Sequence, residues 1–372
     1  MKFKSRLIVL LLLLLVGLLA SARFYTDFLW LVSLGYQHIL LRTLAAQTAV
    51  FAAAFFISLA FFVPNFMALR QSFRLPGGAG GKENIRYYPT EQPWRESIDN
   101  ILASKNVTLG LWAAACALSV LIALPASSAG HEALMFIHSQ PTGTVDPLFQ
   151  ADISFYLFRL PFIGGVVSAA FGVVLMTTIA TLALYAATNN VALARTGNPR
   201  AIKHLSGLLA VLLVLQAASY RIDAYRLVYS PRGVAFGASY TDLFASLPIL
   251  YILMALAVVG AMVALINLKV RKTKLLLGVP AAMMTVSLLA GGIYPAIVQQ
   301  YIVEPNELAR ETPFIRHNIE FTRRAFGLDA ITIKDLPAPA PLSTRHFREH
   351  EYALTNARLL DWTALLRSYR QL

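Results

Sequence analysis

PILYILMALAVVGAMVALI, residues 248–266, runs for 19 residues without a single Lys, Arg, Asp or Glu. A helix that crosses the hydrocarbon of a bilayer needs about 20 apolar residues, with a range of roughly 17–25. The stretch therefore reads as a transmembrane helix. Six more charge-free runs lie around it: Leu7–Ala20, Leu44–Phe66, Val107–Leu124, Phe162–Ala187, Leu205–Tyr220 and Leu275–Tyr294. Leu7–Ala20 and Leu205–Tyr220 are short. Lys4 and Arg6 can snorkel at the end of one, and Tyr220 and Arg221 can sit at the interface beyond the other. The fold class follows: an all-α membrane protein with about seven transmembrane helices in residues 1–297, then a partial, mainly helical extracytoplasmic segment, residues 298–372.

Composition agrees. The chain is 57% hydrophobic and 14% charged, with a mean hydropathy of +0.60, whereas soluble domains carry about 25% charged residues. The net charge of +13 does not point to nucleic acid, because its distribution follows the spans. Sixteen Lys and Arg fall in segments 1–6, 67–106, 188–204 and 267–274, against six in 21–43, 125–161 and 221–247. Cytoplasmic connectors are the Lys/Arg-rich ones. The N-terminus is thus expected in the cytoplasm and the C-terminus outside the plasma (inner) membrane. Residues 67–106 become a cytoplasmic loop, and 125–161 and 221–247 become outer loops. The expected partners are the lipid bilayer and other envelope proteins, with no nucleic acid.

Several features carry bland readings. Cys116 is the one cysteine, so no disulfide can form within the chain, and a thiol inside a span acts as a small hydrophobe. Ala20-Ser21-Ala22 has the form of a signal-peptidase site, but apolar character resumes at 24–36 (FYTDFLWLVSLGY), which favours a retained first span. The glycine cluster at 76–81 follows a span rather than a strand and lacks the Lys-Ser/Thr of a phosphate loop; it reads as a loop before the charged, helix-like stretch 91–101. No internal repeat is evident. No Asp, Glu, Lys or Arg lies within the runs, which disfavours an ion- or proton-driven carrier. Gln47 and Gln216 are expected to hydrogen-bond between helices, and Gly260 with Ala264 makes a small-xxx-small pair. Gly278, Pro280, Gly291 and Gly292, with Pro295 just beyond, predict an interrupted last span.

The outer loops carry the most unusual text. Residues 146–162 read DPLFQADISFYLFRLPF and residues 220–242 read YRIDAYRLVYSPRGVAFGASYTD. Rings and arginines at headgroup depth are common membrane anchors. The sharper alternative is a binding surface at the outer leaflet, built from Asp152, Arg221, Asp223, Arg226 and Arg232. There arginines engage phosphate or carboxylate bidentately and tyrosines pack on a lipid or sugar.

In the tail, Pro305 marks a helix start, Leu308, Ile315, Ile319 and Phe326 recur near helical spacing, and Gly327 marks a stop. A short β-like stretch (330–333), a Pro-rich linker (336–341) and helices from Thr344 and near Trp362 follow. His346-Phe347-Arg348-Glu349-His350 matches the H-x-x-E-H zinc-protease pattern. A third ligand is not supplied, since only Glu351 and Asp361 are acidic downstream, so the match reads as chance. No cofactor, metal or catalytic set is expected.

Residues 146–162, 225–242 and 294–328, with the early FYTDFLWLVSLGY, make the chain similar to the bacterial membrane proteins called uncharacterised protein family 0182. The stretch EPNEL followed by an NIEFTRRAFGL-type helix carries most of the resemblance. It implies seven N-terminal spans in the plasma membrane and a large outer region, and it implies no reaction or site residue. Family members continue for several hundred residues beyond the point matching Leu372, so the chain resembles a family N-terminal half. HFREH departs from the polar helix expected in relatives. The functional expectation is an envelope scaffold that anchors an outer domain or partners. The alternative is transport or handling of a lipid or polymer at the outer leaflet, and an enzyme ranks last because no nucleophile–base or metal set is present.

Overall fold

The computed structural model describes residues 18, 21–22, 24–73, 105–187, 198–335, 344–357 and 362–371. Among these the chain is all-α, with one isolated bridge between Val145 and Asp152. Six helices are long and apolar enough to cross a membrane, and they contain six of the seven charge-free runs. The seventh run, Leu7–Ala20, lies almost wholly outside the described residues, as do the glycine cluster, the 91–101 stretch and the Pro-rich linker.

The helices are α1 (Gln37–Phe73), α2 (Lys105–Ser127), the short α3 (Gly130–Ile137), α4 (Leu160–Ala187), α5 (Pro199–Arg226), α6 (Leu247–Val270) and α7 (Thr273–Val286). Beyond α7 the chain stays helical through α8 (Tyr294–Val298) into α9 (Glu307–Ala325). In lipid the backbone must satisfy its own hydrogen bonds, so these runs form helices whatever the propensity of single residues. The short run Leu205–Tyr220 is completed from both sides by the 28-residue α5, and α1 continues past Phe66 to Phe73.

Four π-helical turns interrupt the helices: Phe155–Arg159, Asp242–Ser246, Ser287–Ile293 and Gln299–Val303. Each ends two residues before a proline: Pro161, Pro248, Pro295 or Pro305. Proline cannot donate to the carbonyl four residues back, and its ring crowds that carbonyl. Widening the turn to an i to i−5 register relieves the conflict. Leu160 N–H thus bonds Phe155 O, and Leu247 N–H bonds Asp242 O.

Packing inside the bundle uses small residues. α6 buries Leu253, Ala257, Gly260, Ala261 and Ala264, while Ile252, Leu256, Val259, Met262 and Ile266 are exposed. Large apolar side chains face outward and small ones inward, the arrangement a lipid-bathed helix adopts. A Cβ on Gly260 would lie 3.1 Å from Val279 and 3.2 Å from Leu213, so the small-xxx-small pair does bring α5, α6 and α7 together. Asn267, 1% exposed, fastens the turn into α7. Its Nδ2 donates to Ser206 Oγ (2.9 Å), and its Oδ1 accepts from Lys272 N–H (2.8 Å).

Interhelical hydrogen bonds fall to residues other than the expected glutamines. Gln47 and Gln216 make none among the described residues. His204 on α5 instead bonds Asn65 of α1 (2.9 Å) and Tyr185 of α4 (3.1 Å). Gln47 contributes through its backbone: a Cβ on Gly130 would fall 2.7 Å from Gln47 N and 2.8 Å from its Cα. Gly130→Ala is therefore expected to force α3 off α1 and lower stability by about 1–3 kcal/mol. Gly164→Ala clashes with the tip of Arg226, 2.6 Å away, and meets Ile222 in ordinary contact at 3.6 Å; it is expected to be nearly neutral because the Arg226 side chain can swing aside. Detergent-melting midpoints of the two variants check the contrast.

The described residues divide into two compact units, with the boundary between Asn318 and Ile319. In the second unit the expected β-like stretch is a 3-10 turn (Leu328–Ala330) followed by irregular chain. Gly327 does stop α9, with φ +65° and its N–H on Arg324 O. Helices follow at Thr344–Glu349 (α10), Glu351–Thr355 (α11) and Trp362–Gln371 (α12).

Candidate functional site

The two aromatic-rich segments expected in outer loops meet. The first folds into a tight clasp. Asp146 is 6% exposed, and its Oδ2 accepts from Phe149 N–H (2.6 Å) and Tyr156 OH (3.0 Å). Phe149 and Phe155 then stack edge-on against Tyr225 at 5.0 and 5.1 Å, and Tyr156 packs on Tyr229 at 6.4 Å. The last turns of α5 are thus clamped by the clasp that leads into α4.

The five residues expected to form an outer-leaflet surface fall into three places. Asp152 serves its own loop, accepting from Thr142 N–H and Oγ1, Gly143 N–H and Ser154 N–H at 2.8–3.1 Å. The Ser154 hydroxyl, then the Thr142 and Ser154 backbone N–H groups, hold its carboxyl well below the usual carboxylate range. Arg221, Asp223 and Arg226 share the end of α5. Arg221 donates to Tyr251 OH (2.9 Å) and Tyr225 OH (2.7 Å) and lies 4.4 Å over the Tyr225 ring. Arg226 pairs with Asp223 at 3.3 Å, both half-exposed. Arg232 lies farther on, where it pairs with Asp242 (3.2 Å) and donates to Ser246 Oγ (2.9 Å).

Around Arg232 the structure assembles residues that the sequence did not single out as a site. Ser239 precedes the helical turn that starts at Tyr240 and leads through the π turn into α6. Asp242 Oδ2 accepts from Ser239 N–H (3.2 Å) and Oγ (2.8 Å), and Ser239 Oγ accepts from Asp242 N–H (3.3 Å). This is a reciprocal capping arrangement at a helix start. The next free N–H, that of Tyr240, donates to Glu311 Oε1 at 3.1 Å from α9. Asp242 and Glu311 are 1% and 2% exposed. Two buried carboxylates therefore gather at the positive end of one helix, where backbone N–H groups and the dipole stabilise negative charge.

Further contacts seat α9 on this loop. Arg310 donates to Tyr240 OH (3.2 Å) and lies 5.0 Å over its ring. Asn318 donates to Phe236 O (3.0 Å), and in the π turn ahead of α9 Gln299 Oε1 accepts from Thr241 (2.6 Å). The first part of α9 is thus held by polar groups. Leu308 is 78% exposed, and Pro313 and Thr312 are exposed as well. In the second unit Ile319 and Phe326 are exposed too.

The H-x-x-E-H motif does not lie within one helix. α10 ends at Glu349, so His350 lies beyond it, and Glu349 Oε1 accepts from Arg345 Nε at 2.8 Å. Among the described residues no group of three or more His, Cys, Asp or Glu is placed to hold a metal.

Comparison with known proteins gives the same picture along the whole chain. Uncharacterised protein family UPF0182 matches residues 5–372. A UPF0182 protein from Moorella thermoacetica is 34% identical over 96% of this chain and 39% of its own length. One from Pelotomaculum thermopropionicum is 32% identical, over 95% and 39%. One from Cupriavidus necator is 32% identical, over 96% and 39%. The chain therefore spans about 39% of the length of these relatives. No solved structure matches it. With a whole-length family match and a helical membrane architecture, the chain belongs to uncharacterised protein family UPF0182.

Proposed function

We propose that the chain is the membrane anchor of an envelope scaffold, set in the plasma membrane with its N-terminus in the cytoplasm and α9 outside. The observation that carries this reading is the seating of α9: a buried glutamate, Glu311, bonds the Tyr240 N–H at the helical turn that leads into α6, across 71 residues. A flexible tether needs no such contact. A fixed seat instead ties the first part of α9 to the loop, and Leu308 there stays exposed for an outer partner to cover. The relatives are more than twice as long as the stretch they share with this chain, which leaves room for an outer part.

The alternative, lipid or polymer handling at the outer leaflet, draws on a cavity of about 620 Å³ lined by Gln216, Tyr220, Met283, Gly291 and Gly292. The cavity is mostly apolar, and its wall residues Tyr220 and Leu250 are the chain neighbours of Arg221 and its partner Tyr251.

Two variants separate the readings. In native gels of solubilised membranes, the scaffold predicts a defined complex that Glu311→Ala dissolves and Arg221→Ala/Arg226→Ala leaves intact. A complex lost only with the arginine pair supports ligand handling instead. Orientation is tested with single cysteines on a Cys116→Ser background. Ile333→Cys is expected to react with an impermeant maleimide on intact cells, and Arg271→Cys only after lysis.

A further inference from the structure

At the other end of α5 a groove of about 530 Å³ opens between the later turns of α1, the first turns of α5 and the end of α6. Phe61, Val211 and Leu268 give it apolar walls, and Gly207 keeps it open, its Cβ position meeting only Leu268 at 4.0 Å. Arg200 and Lys203 line its polar end. Both are exposed, and neither pairs with an acidic side chain among the described residues.

The wall between is preorganised. Asn65 Nδ2 donates to Phe61 O (2.7 Å), which turns Asn65 Oδ1 toward His204 Nε2 at 2.9 Å. An amide oxygen only accepts, so Nε2 carries a proton, and Nδ1 lies 3.1 Å from Tyr185 OH. Both ring nitrogens are thereby engaged within the wall. Positive charge at the groove rests on Arg200 and Lys203.

We propose that this groove binds an anionic glycerophospholipid. Its phosphate sits against Arg200 and Lys203, and its acyl chains lie along Phe61, Val211 and Leu268. The charge and the walls together select this occupant. A soluble anion leaves the apolar walls uncovered, and a neutral lipid leaves two cations unmatched. Val211 and Val214 on the same helix are 43% and 56% exposed, so acyl chains can enter sideways from the bilayer. Basic pockets between spans that receive acidic headgroups follow from the same electrostatics.

The test is native mass spectrometry of the full chain in neutral detergent, titrated with dioleoylphosphatidylglycerol, dioleoylphosphatidylcholine or inorganic phosphate. Each basic side chain contributes about fivefold near an anionic surface, so phosphatidylglycerol is expected to bind about thirtyfold tighter than phosphatidylcholine. Arg200→Gln/Lys203→Gln should abolish that preference. Arg271→Gln/Lys274→Gln, which removes the same charge from the α6–α7 turn, should retain it. Added salt should weaken phosphatidylglycerol alone in the unaltered chain, a readout that does not depend on any variant folding. Equal affinity for the two lipids, equal loss in both double variants, or displacement of lipid by phosphate alone would each overturn the proposal.

Discussion

Glu311→Ala is expected to release α9 from the loop ahead of Tyr240 while leaving the membrane helices folded. The carboxylate is 2% exposed and accepts the Tyr240 N–H at 3.1 Å. Its removal leaves a first-turn donor of a buried helix start unmatched. A lost charged hydrogen bond with an unsatisfied partner costs about 2–3 kcal/mol, which raises the population of the locally open state by about thirtyfold or more. Limited proteolysis should register this as faster cleavage within residues 230–240, with the helical circular dichroism unchanged. Glu311→Gln keeps an acceptor for the Tyr240 N–H, and because burial, with Asp242 and Glu307 nearby, pushes the Glu311 carboxyl up, losing its charge should cost only about 1 kcal/mol. A cleavage rate unchanged in Glu311→Ala would mean that the hydrogen bond contributes nothing to holding α9.

Arg232→Ala is expected to have the second large effect, through the carboxylate it leaves behind. Asp242 is 1% exposed, and its Oδ1 faces Arg232 Nη1 at 3.2 Å. Breaking a buried pair from one side costs about 3–5 kcal/mol because the remaining charge stays desolvated. Arg232 itself is 40% exposed along its side chain and can turn to water, which places the effect at about 3 kcal/mol. Adding Asp242→Ala removes the stranded charge, so the double variant should recover about 1 kcal/mol even though the Ser239 cap is then lost as well. Sodium dodecyl sulfate titration of the solubilised chain measures the cycle. Additive losses would show that the two side chains do not interact.

The spans could be read from the sequence because a bilayer leaves the backbone one solution. Six described helices cover Leu44–Phe66 through Leu275–Tyr294, and the prolines that perturb them were visible too. The response to those prolines was not: whether Pro161 or Pro248 kinks a helix or widens it into a π turn depends on what packs around it. The aromatic-rich segments stood out by composition, but composition does not pair Phe149 and Phe155 with Tyr225, because that contact depends on how α4 and α5 lie together. Gln47 and Gln216 had the right chemistry for interhelical bonds, yet Asn65, His204 and Tyr185 held the facing positions.

The seat of α9 was legible only in half. Ser239-Tyr240-Thr241-Asp242 has the spacing of a helix-capping box ahead of an apolar run, a local signal. Glu311 carries no local signal. It looks like any acid on a charged helix, and its partner is 71 residues away. Apolar spacing at Leu308, Ile315 and Ile319 predicts the helix correctly, while the side chain that is buried at 2% exposure is the polar Glu311.

Hydrogen–deuterium exchange across residues 236–246 is the most direct test of the seat. With Glu311 in place, the Tyr240 amide and the turn behind it should be protected to the same degree as the adjoining α6 helix. In Glu311→Ala that protection should fall by about thirtyfold or more, while residues 249–266 remain as slow as before. Fast exchange at Tyr240 in the unaltered chain, or protection that survives the substitution, would contradict a seated α9 and the anchor built on it.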